Sequence, residues 1–255
     1  MFQEEHRQDV KTGGPSSAGD QEADKKTIAE LTKKVAFLEK KLQIVGSVTR
    51  HDVLNQMTAI VGYNELLGMM IEDPKLKSFL EKEKFSLNKM RRQFQFAKEF
   101  QNIAVEPPLW QNIRNIVHRV SEDLDIKKVS IIADTRGATV LADPLFERVF
   151  FHLLDNALRH GETVTEIRIS LRTTGPTGLL IVENNGAGIP AADKSKIFER
   201  GYGKGTGWGL FVAREILAAT GMTITEAGEP GKGVRFEITL PPGSFRPDGG
   251  NPPVP

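Results

Sequence analysis

The sequence predicts an α+β protein of two domains, in which a coiled coil and a helical hairpin precede an α/β sandwich. Two observations predict this division. Apolar residues recur at helical spacing through residues 25–104, whereas beyond Pro107 and Pro108 short β-rich runs alternate with helical ones. Neighbouring β-rich runs are joined by turn residues. This pattern is typical of antiparallel hairpins and favours a sandwich over a parallel doubly wound sheet.

Composition and charge exclude several classes of function. The 255 residues include 34 Lys and Arg against 33 Asp and Glu, and the net charge of +1 gives no electrostatic footprint for nucleic acid. There are no cysteines, which excludes disulfides and thiolate metal sites. The chain has no run of about 18 apolar residues and no apolar signal-peptide core. We therefore expect a cytoplasmic protein with no membrane segment and no nucleic-acid partner.

Both ends of the chain are predicted to be disordered. Residues 1–24 are polar, and residues 243–255 are rich in proline and glycine. Neither stretch can bury enough apolar surface to offset the entropy lost on ordering. We expect the ordered chain to run from about residue 25 to 242.

Residues 25–47 predict a coiled-coil helix. Apolar residues recur there in alternating steps of three and four, the heptad spacing of a coiled coil. The positions are Ile28, Leu31, Val35, Leu38, Leu42 and Val45. Successive steps of four, from Val45 through Thr49 to Val53, then break the rhythm. Such a stutter locally unwinds a supercoil, and it falls beside His51.

Residues 48–104 predict a helical hairpin. Apolar spacing typical of helices continues on both sides of Asp73 and Pro74. The proline ends the first helix because it restricts the residue before it and cannot donate within a helix. Each helix carries one apolar stripe, and a single hairpin cannot cover both. Pairing two hairpins into a four-helix bundle covers them, so we expect a homodimer.

The second domain, residues 105–242, mixes helical and β-rich runs. We expect helices over 109–124, 144–160 and 207–220. We expect strands over 129–133, 165–172, 178–183, 222–227 and 233–240. The second and third strands are neighbours in sequence, as are the last two, so each pair is expected to form a hairpin.

Three polar residues on the first hairpin helix have the chemistry of a nucleophilic site. A neutral imidazole at His51 is nucleophilic when one ring nitrogen keeps a lone pair, and a carboxylate at Asp52 that accepts from the other nitrogen fixes that tautomer. Asn55 lies one helical turn on, where its amide could orient a water for attack on an acyl phosphate. A solvated polar helix face explains the same residues, so both interpretations stay open here.

The helix predicted over 144–160 carries polar residues on an otherwise apolar pattern. The amide oxygen of Asn156 is a hard ligand of the kind that suits Mg²⁺ bridging to phosphates. Arg159 could contact phosphate oxygens, and His160 could stack on a base or bond to phosphate. An amphipathic helix with an ordinary polar face is the alternative.

Two glycine-rich segments follow. Asn184 ends a β-rich run, and its amide can pair with the exocyclic amine of adenine, while Gly186 and Gly188 let the backbone approach a ligand closely. Residues 201–209 contain five glycines before a helical pattern, which favours anion binding by backbone N–H groups and a helix N-terminus. The segment lacks the Gly-Lys-Ser/Thr of a Walker loop. A strand-ending turn and a flexible linker are the alternatives.

In this order, over about residues 25–242, these blocks resemble a two-component sensor histidine kinase. Residues 50–55 look like its phosphoacceptor box. Residues 155–160, 184–188, 197–200 and 205–210 look like its N box, first glycine box, F box and second glycine box. The four boxes together imply the Bergerat ATP-binding fold that gyrase, Hsp90 and MutL ATPases share, and His51 separates this chain from those relatives.

The resemblance implies a role for each matching position. His51 would be phosphorylated from ATP, Asp52 would act as its general base, and Asn156 would bind Mg²⁺. Asn55 with Asp52 matches the family's phosphatase pattern. The residues implied to hold the nucleotide and its phosphates are Asn156, Arg159, His160, Asn184, Gly186, Gly188, Lys204, Gly205, Thr206, Gly207, Gly209 and Leu210. The implied partner is a response-regulator receiver domain with an aspartate acceptor.

Three positions depart from the family's pattern. Asn184 stands where an Asp is usual, which loses charge-assisted strength towards adenine. His152 stands where the N box usually has a first Asn, and Gln56 replaces a Pro that usually follows the phosphoacceptor. Two alternatives therefore stay open. One is a degenerate, non-catalytic dimeric signalling scaffold, and the other is an ATPase of the gyrase or Hsp90 type that forms no phosphoenzyme.

Overall fold

The computed structural model describes residues 18–124, 126, 129–161, 163–203 and 207–247. These residues fall into two units, which divide between Thr49 and Arg50. The first helix, α1, spans Ala18–Met70. The prediction of disorder up to residue 24 is therefore wrong for 18–24, because good helix formers such as Glu22 and Ala23 extend the helix upstream of its first apolar position. Residues 1–17 lie outside the described residues.

The apolar stripe of the predicted coiled coil faces solvent within the single chain. Its six positions from Ile28 to Val45 are all exposed. A helix with an uncovered apolar stripe is stable in water only when another helix covers it. The helix is confirmed, and its pairing into a coiled coil stays a prediction. Throughout the part of the chain that the structure describes, no helix is both long and apolar enough to cross a bilayer.

Helix α2 spans Pro74–Asn102 and completes the hairpin. The Oδ1 of Asp73 accepts from the backbone N–H groups of Lys75 at 2.7 Å and Leu76 at 3.4 Å, which caps the helix. Pro74 occupies the first turn, where a backbone donor is not needed. The predicted break between the two helices is confirmed.

The hairpin buries little of its apolar surface. Met57 and Leu87 are buried, as is Asn64, whose Nδ2 donates to the Leu80 carbonyl oxygen at 3.4 Å. Apart from Phe100, which contacts the α/β domain, the exposed large apolar side chains of the hairpin are Val48, Ile60, Tyr63, Leu66, Leu67, Met69, Met70, Leu76, Phe79, Phe85 and Met90. This uncovered surface is what the predicted second hairpin would cover.

The remaining elements form an α/β domain. Its helices are α3 (Ile113–Asp123), α4 (Phe146–His160) and α5 (Gly209–Ala218). Its strands are β1 (Leu109–Asn112), β2 (Ser130–Asp134), β3 (Thr139–Ala142), β4 (Glu166–Thr174), β5 (Thr177–Asn184), β6 (Thr223–Glu226), β7 (Arg235–Leu240) and β8 (Phe245–Arg246).

A five-stranded sheet in the order β2-β4-β5-β7-β6 forms one layer of this domain. Its strands pair antiparallel except β2 with β4, and the predicted hairpins β4–β5 and β6–β7 are both present. The core joins sheet residues such as Ile169 and Ile238 to helix residues such as Phe150 and Ile216. The predicted α+β architecture with an α/β sandwich is confirmed.

A second sheet, β1-β3-β8, is antiparallel and does not follow from the sequence pattern. The run 109–124 is predicted to be one helix, but its first four residues are strand β1. The helix begins only at Ile113, because the Asn112 side chain caps it by accepting from the N–H of Asn115 at 3.1 Å.

Strand β8 corrects the predicted boundary of the C-terminal tail. Phe245 pairs with Val140, and its ring packs over Gly178, where a Cβ would lie 3.0 Å from the nearest ring atom. The prediction of disorder from residue 243 is therefore wrong for β8. The Phe245 ring packs on Gly178, and this contact orders the strand. Residues 248–255 lie outside the described residues.

Candidate functional site

The His51 side chain is open to solvent on α1 and contacts two polar neighbours. Its Nδ1 lies 3.1 Å from the Oδ1 of Asp52, because the carboxylate reaches round from the flank although successive helix residues point apart. The Nδ2 of Asn55 lies 3.3 Å from each ring nitrogen. When Nδ1 carries the proton and donates it to Asp52, Nε2 keeps a lone pair.

Asn156 is half-buried on α4, and no described residue hydrogen-bonds its side-chain amide. Buried amides in proteins normally have a partner, so this one is available to a ligand or to water. Among the described residues no group of three or more His, Asp and Glu could hold a metal ion. A cation here would depend on the Asn156 oxygen, on substrate oxygens and on water, which is how Mg²⁺ is usually held.

The last turn of α4 carries Arg159 and His160. The Nε of Arg159 donates to the Oδ1 of Asp155 at 2.6 Å, one turn earlier, and this leaves the terminal guanidinium nitrogens to other partners. His160 is exposed. A cation at the C-terminal end of a helix is also favoured by the helix dipole. Stabilisation of α4 is therefore a second explanation for a positive charge at Arg159.

The Asn184 side chain is already engaged by the protein. Its Oδ1 accepts from the backbone N–H of Gly186 at 3.0 Å and, more weakly, from that of Val234 at 3.5 Å. Both partners are donors, which identifies the engaged atom as the oxygen. The end of the amide that is left for a ligand is therefore the Nδ2 donor, whereas the sequence prediction used the acceptor.

The glycines of the first glycine segment are required by packing against protein. A Cβ at Gly186 would lie 2.5 Å from the carbonyl oxygen of Gly161, just past the end of α4. Gly188 has a φ of +80°, and a Cβ there would lie 2.9 Å from the backbone nitrogen of Gly231. These contacts press the loop onto α4 and onto the β6–β7 connection, so a close approach of ligand is not needed to explain either glycine.

The structure describes residues 201–203 and 207–209 of the second glycine segment. Lys204, Gly205 and Thr206 lie outside the described residues. Gly207 has a φ of +66°, and its carbonyl oxygen accepts from the N–H of Gly201 at 2.8 Å, which closes the segment at its base.

The N-terminus of α5 follows this segment directly. The helix begins at Gly209, and its N-cap residue, Trp208, makes no side-chain capping bond. The first backbone N–H groups of α5 are therefore left for another acceptor, and an anion is the natural one. The Leu210 side chain packs against the core, so only its backbone can meet a phosphate.

Four residues that the sequence analysis did not identify fasten the segment between the two glycine boxes. The Tyr202 hydroxyl donates to the Oδ1 of Asp193 at 2.5 Å, and this hydrogen bond raises the pKa of Tyr202. Lys194 lies 2.7 Å from the carboxylate of Glu226, whose side chain is fully buried. The first pair closes a nine-residue span within the segment, and the second joins the segment to β6, so neither follows from a local pattern in the sequence.

An open cleft of about 460 Å³ lies at the ends of β4, β5 and β7. It touches Asn184 and Asn185 but no residue of α4. Its charged lining residues pair with each other: Arg235 contacts Glu237 at 2.8 Å and Glu183 at 3.5 Å. The cleft therefore lies beside the predicted nucleotide site and does not form it.

Helix α4 brings most of the predicted site residues together. Its C-terminal end meets the first glycine segment at Gly186, and its middle meets the start of α5, where a Cβ on Gly209 would lie 3.3 Å from the Nδ1 of His152. Asn156 lies between these two contacts on the same helix. No described residue of the α/β domain hydrogen-bonds His51, so the structure holds two separate sites.

A family model matches the α/β domain. Residues 142–244 match the family described as "Histidine kinase-, DNA gyrase B-, and HSP90-like ATPase". The match covers nearly all of the predicted nucleotide-site residues, on α4, both glycine segments and α5, whereas His51 lies outside it.

Curated relatives extend this match to sensor proteins. The alginate biosynthesis sensor protein KinB of Pseudomonas aeruginosa is 41% identical over 100 residues, which are 37% of this chain and 17% of KinB. Sensor protein SrrB of Staphylococcus aureus is 25% identical over 239 residues, which are 84% of this chain and 40% of SrrB. The chain thus spans less than half the length of these relatives.

Solved structures share the fold. Full-length ShkA, in complex with AMPPNP, has a TM-score of 0.56 and 18% identity, covering 78% of this chain and 46% of ShkA. The Acinetobacter baumannii histidine kinase AdeS has a TM-score of 0.52 and 22% identity, covering 74% of this chain and 97% of that structure.

Residues 142–244 match the class of domain that histidine kinases share with gyrase- and Hsp90-like ATPases. Within that class, the matched relatives are sensor proteins, which supports the resemblance to a two-component sensor histidine kinase. The resemblance predicted from the motifs is confirmed at the level of the family.

Proposed function

We propose that the chain is an ATP-dependent protein histidine kinase that phosphorylates itself on His51. The phosphoryl group then passes to an aspartate on the receiver domain of a response regulator. The observation that carries the proposal is the 3.1 Å contact of the His51 Nδ1 with Asp52. This contact prepares Nε2 as a nucleophile, which an ATPase of the gyrase or Hsp90 type does not need.

The nucleotide site has the donors and acceptors that ATP with Mg²⁺ needs. The amide of Asn156, which no described residue hydrogen-bonds, supplies an oxygen for the cation. The start of α5, whose N-cap side chain makes no bond, supplies N–H groups for the phosphates. Arg159 and Lys204 add positive charge. Mg²⁺, when bound, neutralises charge on the phosphate oxygens.

His51 carries the proposed chemistry. Its Nε2 attacks the γ-phosphorus of ATP, an N–P bond forms, the bond from phosphorus to the bridging oxygen breaks, and ADP leaves. Asp52 holds the Nδ1 proton and stabilises the positive charge that develops on the ring. In a second reaction, Asn55 orients a water towards the acyl phosphate of the regulator, which gives the same chain a phosphatase activity.

We infer that the chain works as a homodimer. The apolar stripes of the hairpin and of the upstream part of α1 are exposed in the single chain. Pairing two hairpins in a four-helix bundle, with a coiled coil upstream, removes this surface from water. The homodimer and the response regulator are the two proposed partners.

Labelling with ATP tests the proposed function. Wild type given Mg²⁺ and γ-labelled ATP is expected to acquire an acid-labile phosphate that His51→Gln abolishes. His118→Gln is the matched control, since His118 is an exposed histidine on α3. Label that persists in His51→Gln would defeat the assignment.

A degenerate, non-catalytic scaffold is the second candidate, and the engaged oxygen of Asn184 favours it. Titration with a fluorescent ATP analogue separates the two. A kinase is expected to bind the analogue in a Mg²⁺-dependent way that Asn156→Ala removes while the protein stays dimeric. A scaffold gives no binding in either protein. An ATPase would hydrolyse ATP steadily and leave no phosphate on His51.

A further inference from the structure

The C-terminal end of α2 inserts a carboxylate into the α/β domain. Glu99 is 3% exposed. Its Oε1 accepts from the Nε of Arg148 at 2.8 Å, and its Oε2 lies 2.9 Å from the Nε2 of His152. Both partners belong to α4, the helix that carries Asn156. The departure from the N box at position 152 therefore has a partner on the hairpin, and its Nε2 is not available to the nucleotide.

The next residue of α2 contacts the other helix of the nucleotide site. Phe100 stacks on Phe211, in the first turn of α5, with ring centroids 5.8 Å apart. Phe211 packs edge-on against Trp208 at 6.2 Å, and the guanidinium of Arg200 lies 4.4 Å from the centre of the Trp208 ring. The contact from the hairpin thus reaches both ends of the second glycine segment.

A hydrogen bond also holds the segment that connects the hairpin to the α/β domain. The backbone N–H of Ala104 donates to the Oδ2 of Asp143 at 2.8 Å, and Asp143 is buried. Ala104 has a φ of +59°, a conformation that a residue with a Cβ adopts only when its surroundings enforce it. The linker after α2 is therefore held in place at the N-terminal side of α4.

We propose that Glu99 and Phe100 are positioning residues of the kinase reaction. With Arg148, His152 and Phe211 they form a clasp that docks the α/β domain on the hairpin of its own chain, and transfer to His51 requires this clasp to open. The proposal rests on the proposed function. Transfer needs the His51 Nε2 within roughly 3–3.5 Å of phosphorus. In the docked arrangement the described partners of His51 are Asp52 and Asn55 alone, and its side chain is 73% exposed.

The nucleotide site acts on the same contacts. His152 bonds to Glu99, and its ring lies beside Gly209, where an added Cβ would be 3.3 Å from Nδ1. Phe211 lies in the turn whose N–H groups would meet the phosphates. Phosphates bound at the start of α5 therefore act directly on two members of the clasp. Because the Glu99 carboxylate is buried, parting it from Arg148 and His152 while it stays out of water would leave a charge without compensation. The clasp therefore has a closed and an open state and little between them.

A reversible cross-link tests the clasp. The chain has no cysteines, so Phe100→Cys with Phe211→Cys introduces one defined pair. Bridged by a short thiol-specific reagent that reduction cleaves, this variant is expected still to bind a fluorescent ATP analogue, so that nucleotide can be supplied at saturating concentration. Its initial rate of His51 phosphorylation should fall by about tenfold or more, because the covalent bridge keeps the clasp closed, and reduction should restore the rate. Equal rates before and after reduction would overturn the proposal. Wild type carried through the same treatment is the control.

Loosening the clasp tests it in the opposite direction. Glu99→Gln is expected to raise kcat for autophosphorylation several-fold without raising the KM for ATP. Adding His152→Gln should raise kcat little further, because both changes remove one interaction. Glu81→Gln, at an exposed position of α2, is the control. A lower kcat in Glu99→Gln contradicts the proposal.

The failure of the clasp and the failure of the proposed function give different results. If no variant and no wild-type protein acquires phosphate on His51, the proposed function has failed. Hydrogen exchange still measures whether the clasp is closed in that case. Amides of residues 95–102 are expected to exchange faster in Glu99→Gln than in wild type, and equal exchange contradicts docking through Glu99.

Discussion

At the scale of single residues, Asn184 shows how one atom decides a nucleotide contact. Its oxygen faces two backbone N–H groups, and only its Nδ2 donor is left. The exocyclic amine of adenine is also a donor, so the two groups cannot pair in this orientation. A carboxylate at this position would keep one oxygen on the backbone and present the other to the amine.

Asn184→Asp is therefore expected to strengthen ATP binding by roughly tenfold, the gain typical of a charge-assisted hydrogen bond replacing none. Titration with a fluorescent ATP analogue measures the change. Asn185→Asp is the matched control, because it adds the same charge one residue away, where the side chain holds Thr165 and Glu166. Equal or weaker affinity in Asn184→Asp would show that the amide turns to present its oxygen when ATP binds.

Glu99 gives the fold a pH dependence. Burial alone would raise the pKa of Glu99, but the hydrogen bond and charge of His152, with the charge of Arg148, outweigh burial and hold the pKa below its usual value. The unfolded pKa is about 4.3. The ionised carboxylate therefore stabilises the folded chain above that pH, and this contribution is lost as the pH falls from there through the folded pKa.

Urea unfolding of wild type and Glu99→Gln across the acidic range checks this dependence. Wild type is expected to be the more stable protein near neutral pH, and the difference is expected to shrink below about pH 4. A difference that stays constant over the whole range would mean that ionisation of Glu99 does not contribute.

At the scale of elements, local signals explain which parts of the fold could be predicted. The break between α1 and α2 follows from Asp73 and Pro74, whose capping and lack of a donor act within one turn. The hairpins β4–β5 and β6–β7 follow from apolar runs separated by turn residues. Strands β1 and β8 carry no such signal, because both pair with β3 from distant parts of the sequence.

The apolar stripe of α1 leads to a prediction about assembly. Ile60 and Leu67 lie seven residues apart and are both exposed. Replacing both with Glu puts charge in the seam of the proposed four-helix bundle, where it cannot be solvated. Light scattering coupled to size exclusion should find a dimer for wild type and a monomer for the double variant. Thr58→Glu, which adds charge on the exposed face that carries His51, should leave the dimer intact. A double variant that stays dimeric contradicts this interface.

At the scale of the whole molecule, the sequence predicts the segments of the proposed nucleotide site but not the contact of this domain with the hairpin. The motif residues Asn156, Asn184 and Gly209 belong to segments that α4 brings together, and each carries a residue type with its own chemical meaning. Glu99 and His152 lie 53 residues apart. Their contact depends on how the α/β domain docks, which no local pattern encodes. The sequence therefore showed that His152 departs from the family's pattern and left its partner unknown.

The central claim is that the lone pair of the His51 Nε2 accepts the γ-phosphoryl group of ATP. Peptide mapping of the phosphorylated protein at alkaline pH, where phosphohistidine survives, tests it most directly. We predict phosphate on the peptide that contains His51 and on no other histidine-containing peptide. Phosphate on a different residue, or nucleotide turnover with the His51 peptide left unmodified, would contradict the account.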